Sequence, residues 1–144
     1  MGAPMKEYDF DQVTFVFAGI IAKGFVDGSA VTLEEAGPRF VKKVGIDGTV
    51  TRSKLMDRSG KCTIKLMQSS EVNDQYSAIA QQDIEGVNGA GVGALQIQDN
   101  QGRTLHHAAE AWISEVPKPE WDKEATGREW VFEFANVDSV FGGN

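Results

Sequence analysis

Residues 39–70 read RFVKKVGIDGTVTRSKLMDRSGKCTIKLMQSS, and the fold is decided there. Cys62, Ile64 and Leu66 fall on one side of an alternating run, with Lys61, Thr63 and Lys65 on the other. That is the period of a strand with one buried face. Asp47-Gly48 is a strong hairpin signal, because the favoured two-residue turns need positive φ, which Asp and Gly tolerate. It separates a strand around Phe40 and Val44 from another over 49–55, and residues 57–60 turn the chain again. The same stretch holds eight of the fourteen Lys and Arg residues against only Asp47 and Asp57. Its surplus of six positive charges sits in a chain of net charge −7, so the rest carries −13. A basic arm on an acidic body can bind copies of itself head to tail. A solvated hairpin with no partner accounts for the charge pattern equally well.

Upstream, Val13, Phe15 and Phe17 alternate with Thr14 and Val16 as a strand. Ala18-Gly19 interrupts before a second run over 20–26, which predicts a hairpin. Ala18 is a poor first residue for a two-residue turn, so the expectation is a bulged turn with Gly19 at positive φ. Asp27-Gly28-Ser29 is a turn cluster, 31–34 a short strand, and Gly37-Pro38 ends its connection. Downstream comes one helix. Ser69 or Ser70 can cap it, Glu71 and Asp74 suit its first turn, and Val72, Tyr76, Ile79 and Ala80 form one apolar stripe. After a glycine-rich loop, strands are expected over 94–99 and 103–113 around Asn100-Gln101-Gly102. A last one is expected where Trp130, Phe132 and Phe134 alternate with Val131 and Glu133. About eight short strands, one helix and no βαβ alternation predict a mainly β fold, an antiparallel β-sandwich or barrel-like domain. Residues 1–10 read as a polar lead-in, and 11–144 as a single domain with an extended hairpin around 46–60.

The 144 residues suffice for a real core, and 41% hydrophobic with 24% charged is ordinary for a globular chain. A pI near 4.8 argues against a general nucleic-acid binder. Cys62 is the only cysteine, so no intramolecular disulfide framework exists, which fits a reducing compartment. Within its alternating run it reads as a small buried hydrophobe rather than a reactive thiol. The N-terminus lacks the layout of a signal peptide, and the longest apolar run, 13–22, is too short to cross a bilayer, so no membrane anchor is expected.

Three patterns hint at chemistry and fall short of it. Gly89-x-Gly91-x-x-Ala94 matches a dinucleotide fingerprint, which needs a strand before it and a helix after, whereas here the order is reversed. His106 and His107 with Glu110 suggest a metal, but adjacent strand residues point to opposite faces and no third ligand stands out. There is no G-x-S-x-G elbow, and no carboxylate pair is singled out for acid–base work. The basic arm has Phe40 as its one aromatic and no helix to enter a groove, which weakens a nucleic-acid reading.

The order and spacing of these pieces resemble the tail tube proteins of contractile-tailed, myovirus-type bacteriophages. A KVGxDGEVTRS-like hairpin recurs at 43–53, an RSGxxTIxLxQTS-like strand at 58–70, and an SxxND helix start at Ser70. AEAWI at 109–113, Pro117 and Pro119, TGREW at 126–130 and the closing FGGN follow in register, so the similarity runs from Phe10 onward. Ile46, Thr49 and Ala18-Gly19 depart from the pattern, which bears on local turn type.

The resemblance implies a structural protein with no catalytic residues, no cofactor and no metal. Six copies would form a ring, the inner sheet continuing between subunits, and rings would stack into the conduit for DNA delivery through the host envelope after sheath contraction. The implied partners are further copies, the tail sheath protein, the baseplate hub, tail terminator or completion proteins, the tape measure protein during assembly, and genomic DNA in transit without sequence-specific binding. The implied location is the virion, after assembly in the host bacterial cytoplasm. Tubes of contractile bacteriocins and secretion systems share this architecture and remain an alternative. So does a small-ligand-binding or enzymatic β-barrel. On the tube reading, the polar stretch 52–59, with Arg52, Ser53, Lys54, Asp57, Arg58 and Ser59, is the expected hairpin tip and ring-stacking contact, disordered in the free subunit. Strands carrying Arg39, Lys42, Lys43, Lys61 and Lys65 are the expected inner wall between subunits. Those lysines then face ring interfaces or pair with acids, because a lysine-lined bore would retain DNA.

Overall fold

The computed structural model describes residues 3, 5–28 and 30–143. Met1, Gly2 and Pro4 of the lead-in, Ser29 of the turn cluster and Asn144 of the closing FGGN lie outside the described residues. After a short 3-10 turn, Phe10–Gln12, come β1 (Val13–Phe17), β2 (Ile20–Ile21), β3 (Val31–Glu35), β4 (Phe40–Val44), β5 (Val50–Lys54) and β6 (Gly60–Met67). Then follow α1 (Val72–Glu85), β7 (Gly93–Asp99), β8 (Leu105–Glu115), β9 (Gly127–Phe134) and β10 (Asp138–Val140). The fold is mainly β, antiparallel, with one helix among the described residues, as the alternating runs predict. Seven strands lie in the order β2-β1-β7-β8-β9-β6-β3, with β10 beside β8, while β4 and β5 pair only with each other.

The expected second strand over 20–26 changes partner partway, and this is what curls the sheet. Ala22 N–H still donates to the Phe15 carbonyl of β1 at 2.9 Å. Two residues on, the Gly24 carbonyl accepts from Met67 N–H of β6 at 2.7 Å, and Phe25 bridges Leu66. β3 then pairs with β6 from Val31 opposite Ile64 to Glu35 opposite Gly60. Residues 20–35 therefore join the two ends of the sheet order and give a barrel-like wall with few free edges. β8 serves both halves, with 105–107 against β10 and 111–115 against β9, and it is bulged between Ile113 and Glu115.

The core lies inside this curl. Cys62, Ile64 and Leu66 are fully buried, as their shared face requires, and they meet Phe15, Phe17, Phe132 and Phe134. Tyr76 of α1 stands edge-on to Phe17, Trp130 and Phe132. Val72 and Tyr76 of the predicted helical stripe are buried, with Ile79 packed against the core, so α1 covers the barrel end beyond Met67. Ser70 ties this start down by donating its hydroxyl to the Lys23 carbonyl at 2.6 Å. Asn73 reinforces it: its amide nitrogen donates to the Met67 and Ser70 carbonyls, and its oxygen accepts from the Trp130 indole at 2.9 Å.

At Ala18-Gly19 the expected bulge is absent. Phe17 pairs directly with Ile20, and both turn residues take positive φ, 51° and 82°, as a two-residue type I′ turn requires. The ladder to β7 sets this register, since Ala18 N–H donates to the Ala94 carbonyl at 2.9 Å, so tertiary pairing overrides alanine's preference.

Candidate assembly surface

β3 and β6 are antiparallel neighbours with Glu35 opposite Gly60 and Ala36 N–H bonded to the Ser59 carbonyl at 2.9 Å. Two residues could close such a pair. The chain instead inserts the β4–β5 hairpin, and all ten of its strand residues are exposed. This arm buries none of its strand side chains in the core.

Its reversal lies where the Asp-Gly signal predicts. The turn has three residues rather than two: Gly45 N–H donates to the Thr49 carbonyl at 2.7 Å, and of Asp47 and Gly48 only Gly48 takes positive φ, 87°. The Asp47 carboxylate accepts from Thr49 N–H at 3.0 Å, which holds its pKa below the ordinary range. The tip is therefore around Ile46, not at 52–59. Arg52, Ser53 and Lys54 lie on the descending strand, and Asp57, Arg58 and Ser59 lie in the return to β6. Polarity marked that segment in the sequence, but turn chemistry placed the reversal.

The two faces of the arm differ. Pairing puts Phe40 with Lys54, Lys42 with Arg52, and Val44 with Val50, so these six share one face. The Arg52 guanidinium lies 4.2 Å from the Phe40 ring centroid. Lys42 and Arg52 are directly opposite, an unfavourable like-charge pair that an acidic partner would relieve. Val44, Ile46, Val50 and Met56 are apolar and open to solvent. The sequence signal for this apolar side is Ile46, a large hydrophobe set directly before the Asp47-Gly48 turn.

The foot of the arm is fixed. Arg39 grips Glu35 through two bonds, of 2.8 and 3.3 Å, and its hydrogen bond lowers the Glu35 pKa. The Arg39 guanidinium also stands 5.8 Å from the Phe141 ring centroid. Asp57 accepts from the Ser59 hydroxyl at 2.6 Å and the Ser59 N–H at 2.9 Å. Val137 N–H donates to the Arg58 carbonyl, and the Arg58 side chain sits 3.7 Å from Asp138.

Lys61 and Lys65 stand apart from this group, on the outward face of β6. Both edges of β6 are paired within the chain, by β3 and β9. Lys61 has Glu34 on one neighbouring strand and Glu133 on the other, and Lys65 faces Glu129. The structure thus brings together Arg39, Lys42, Lys43, Arg52, Ser53 and Lys54, sets Asp57, Arg58 and Ser59 at their foot, and sets Lys61 and Lys65 among carboxylates.

The remaining chemical hints have local roles. Gly91 N–H donates to the Asp83 carboxylate at 3.1 Å, so the glycine loop folds back on α1. His106 is buried with Nδ1 2.8 Å from the Ser139 hydroxyl, and burial lowers its pKa; His107 lies on the other face. Burial pushes the Cys62 thiol up to about 12. Among the described residues no three His, Cys, Asp or Glu side chains are grouped to hold a metal, and no helix is long and apolar enough to cross a membrane.

Residues 11–142 match the family profile described as the bacteriophage PhiTE tail tube protein. Structural protein ORF10 of Pseudomonas phage KPP10 is 31% identical over 150 residues, covering all of this chain and 87% of that protein. The tube-terminating cap of the anti-feeding prophage superposes with a TM-score of 0.65 at 8% identity, covering 97% of this chain and 95% of the cap. A sheath/tube terminator of the extracellular contractile injection system PVC superposes at 0.62 with 11% identity, covering 96% and 99% of the two chains. A chain of the PVC sheath-tube complex gives 0.60 at 10% identity, covering 90% and 88%.

Proposed function

Because the chain belongs to the phage tail tube family, we propose that it assembles into hexameric rings stacked into the tail tube, with the β4–β5 arm as the stacking contact. The observation that carries this is the arm itself, a basic and partly apolar hairpin whose ten strand residues are all exposed. The work of the protein is architectural, without catalysis. Rings are closed by rotation about the bore, while the arm makes a contact that repeats along it. The order of the arm in isolation is marginal, because a lone two-stranded hairpin is barely stable in water, and assembly fixes it.

The finished tube conducts genomic DNA in transit within a virion. The acidic surplus suits a conduit for DNA, because six copies at −7 carry about −42 formally and repel phosphate before screening. Sheath, baseplate hub, terminator and tape measure proteins are the partners such a tube needs. A tube of a bacteriocin or injection apparatus is the second reading, favoured by the likeness in fold to contractile injection system proteins.

Replacing residues 37–58 by Asn-Gly, between Ala36 and Ser59, is the test. The expected product is a folded subunit that forms no long tubes by negative-stain microscopy. The milder K42E/R52E/K54E variant is expected to do the same. Long tubes from either would overturn the stacking role.

A further inference from the structure

We propose that the arm of one copy lands in the groove between α1 and the 116–119 loop of the next copy. This landing site presupposes the stacking role of the arm and adds the surface that receives it.

Position is the first support. β6 runs from the foot of the arm at Gly60 to the start of the α1 region at Met67, about 25 Å at roughly 3.3 Å per residue. The arm leaves from one end of the barrel and the groove opens at the other. Such a pair of surfaces makes a contact that propagates without closing.

Shape and chemistry agree. The groove encloses about 500 Å³, with Ser77, Ala80 and Ile84 of α1 on one side and Val116, Pro117 and Pro119 on the other. Ile84 is 80% exposed and Val116 59% exposed, so its apolar wall is uncovered. The occupant offers the exposed Ile46 at its tip and Val44 and Val50 behind it, flanked by Lys42, Arg52 and Lys54. Asp74 of α1 lines the groove, with Glu71, Asp83 and Glu85 elsewhere on or beside the helix, while Lys118 lies in the facing loop. Arg128 also lines the groove, but it is turned onto Thr126, donating to its hydroxyl at 2.9 Å.

A second groove, about 460 Å³ and lined by Glu34, Lys61, Trp112 and Glu133, offers acids too. It lies beside the foot of the arm. Lys61 also stands between its two glutamates in the strand register, which offsets their charge.

Cross-linking decides between the grooves. Ile46→Cys with Ile84→Cys, treated with a short bismaleimide after assembly, is expected to give a denaturant-resistant ladder of many copies. Both positions are solvent-exposed, and the buried Cys62 adds no background. Single variants mixed in pairs should give dimers. A ladder from Ile46→Cys with Glu133→Cys, or none from the first pair in assembled tubes, would overturn the landing site. As a second route, Ser77→Arg fills the groove and adds a like charge, so tubes should be lost while the subunit stays folded; normal tubes would again overturn it. If K42E/R52E/K54E abolishes tubes yet Ile46 does not reach Ile84, the arm stacks elsewhere. If that variant forms normal tubes, the stacking role itself fails.

Discussion

Asn73→Ala tests how α1, which supplies one wall of the proposed groove, is fastened to the barrel. The side-chain amide donates to the Met67 carbonyl at 3.0 Å and the Ser70 carbonyl at 3.1 Å, and accepts from the Trp130 indole at 2.9 Å. Both carbonyls keep a second donor, the backbone N–H groups of Ser70 and Asn73. The indole has no second partner and is only 3% exposed, so it would be left orphaned. An orphaned buried donor costs about 1–3 kcal/mol, and each weakened carbonyl adds about 0.5 kcal/mol, for a total of roughly 2–4 kcal/mol. With a urea m-value of about 2 kcal/mol/M, the midpoint should fall by about 1–2 M. The assay is urea denaturation followed by far-UV circular dichroism, at concentrations where the midpoint does not depend on protein concentration. Trp130→Phe removes the N–H while keeping an aromatic ring. On that background Asn73→Ala should cost about 1–3 kcal/mol less than in the parent, because no donor is orphaned. Equal costs on both backgrounds, or a parent loss under about 0.5 kcal/mol, would show that this bond does not hold the helix down.

Gly60→Ala should destabilise by about 3 kcal/mol or more, because a Cβ there would run into the Glu34 carbonyl oxygen and come within 2.9 Å of Glu35 Cα on a paired strand; a loss below about 1 kcal/mol would show that β3 and β6 part easily at the foot of the arm. Ala18→Asn should stabilise by about 0.5–1 kcal/mol, since Asn accepts the positive φ that alanine resists and the site is exposed; a loss in thermal or urea unfolding would contradict this. His106 is held neutral by burial, with its folded pKa below the unfolded one, so its contribution is full above about pH 6.5 and is lost as pH falls from there toward the folded value. His106→Asn should flatten stability between pH 7 and 5.5, a window above the one in which Glu35, Asp47 and Asp57, whose pKa values are lowered, lose theirs. An unchanged slope in that window would refute the assignment.

What could be read in advance was what is local. The β6 alternation, the Asp47-Gly48 turn and the α1 stripe depend on neighbours a few residues away, and each formed where its pattern lay. Segment 20–26 could not be read, because it begins on β1 and ends on β6 and its pattern averages two environments. β10 is three residues held in place by β8, too short for any period. The arm was visible as charge and its reversal as the Asp47-Gly48 turn, yet its apolar side was not. Charge says that a surface is solvated or partnered, and only the register shows Lys42 facing Arg52 with Phe40, Val44 and Val50 on the same side.

The physical case for a partner rests finally on what the barrel leaves over. β4 and β5 pair only with each other, so the 36–59 segment takes no part in the main sheet. Ordering each backbone residue costs about 1–2 kcal/mol, which folded chains recover through burial. The arm recovers little at home, since its strands are exposed throughout and its tightest contacts are a ring–cation stack and the ion pair at its foot. A two-residue link between Ala36 and Ser59 would spare that cost and close the same barrel. On the proposed stacking contact, the recovery comes from a surface outside the subunit. A surface that relieves the Lys42–Arg52 repulsion needs an acid and one that takes Ile46 needs an apolar wall, and the proposed groove offers Asp74 for the first and Ile84 with Val116 for the second.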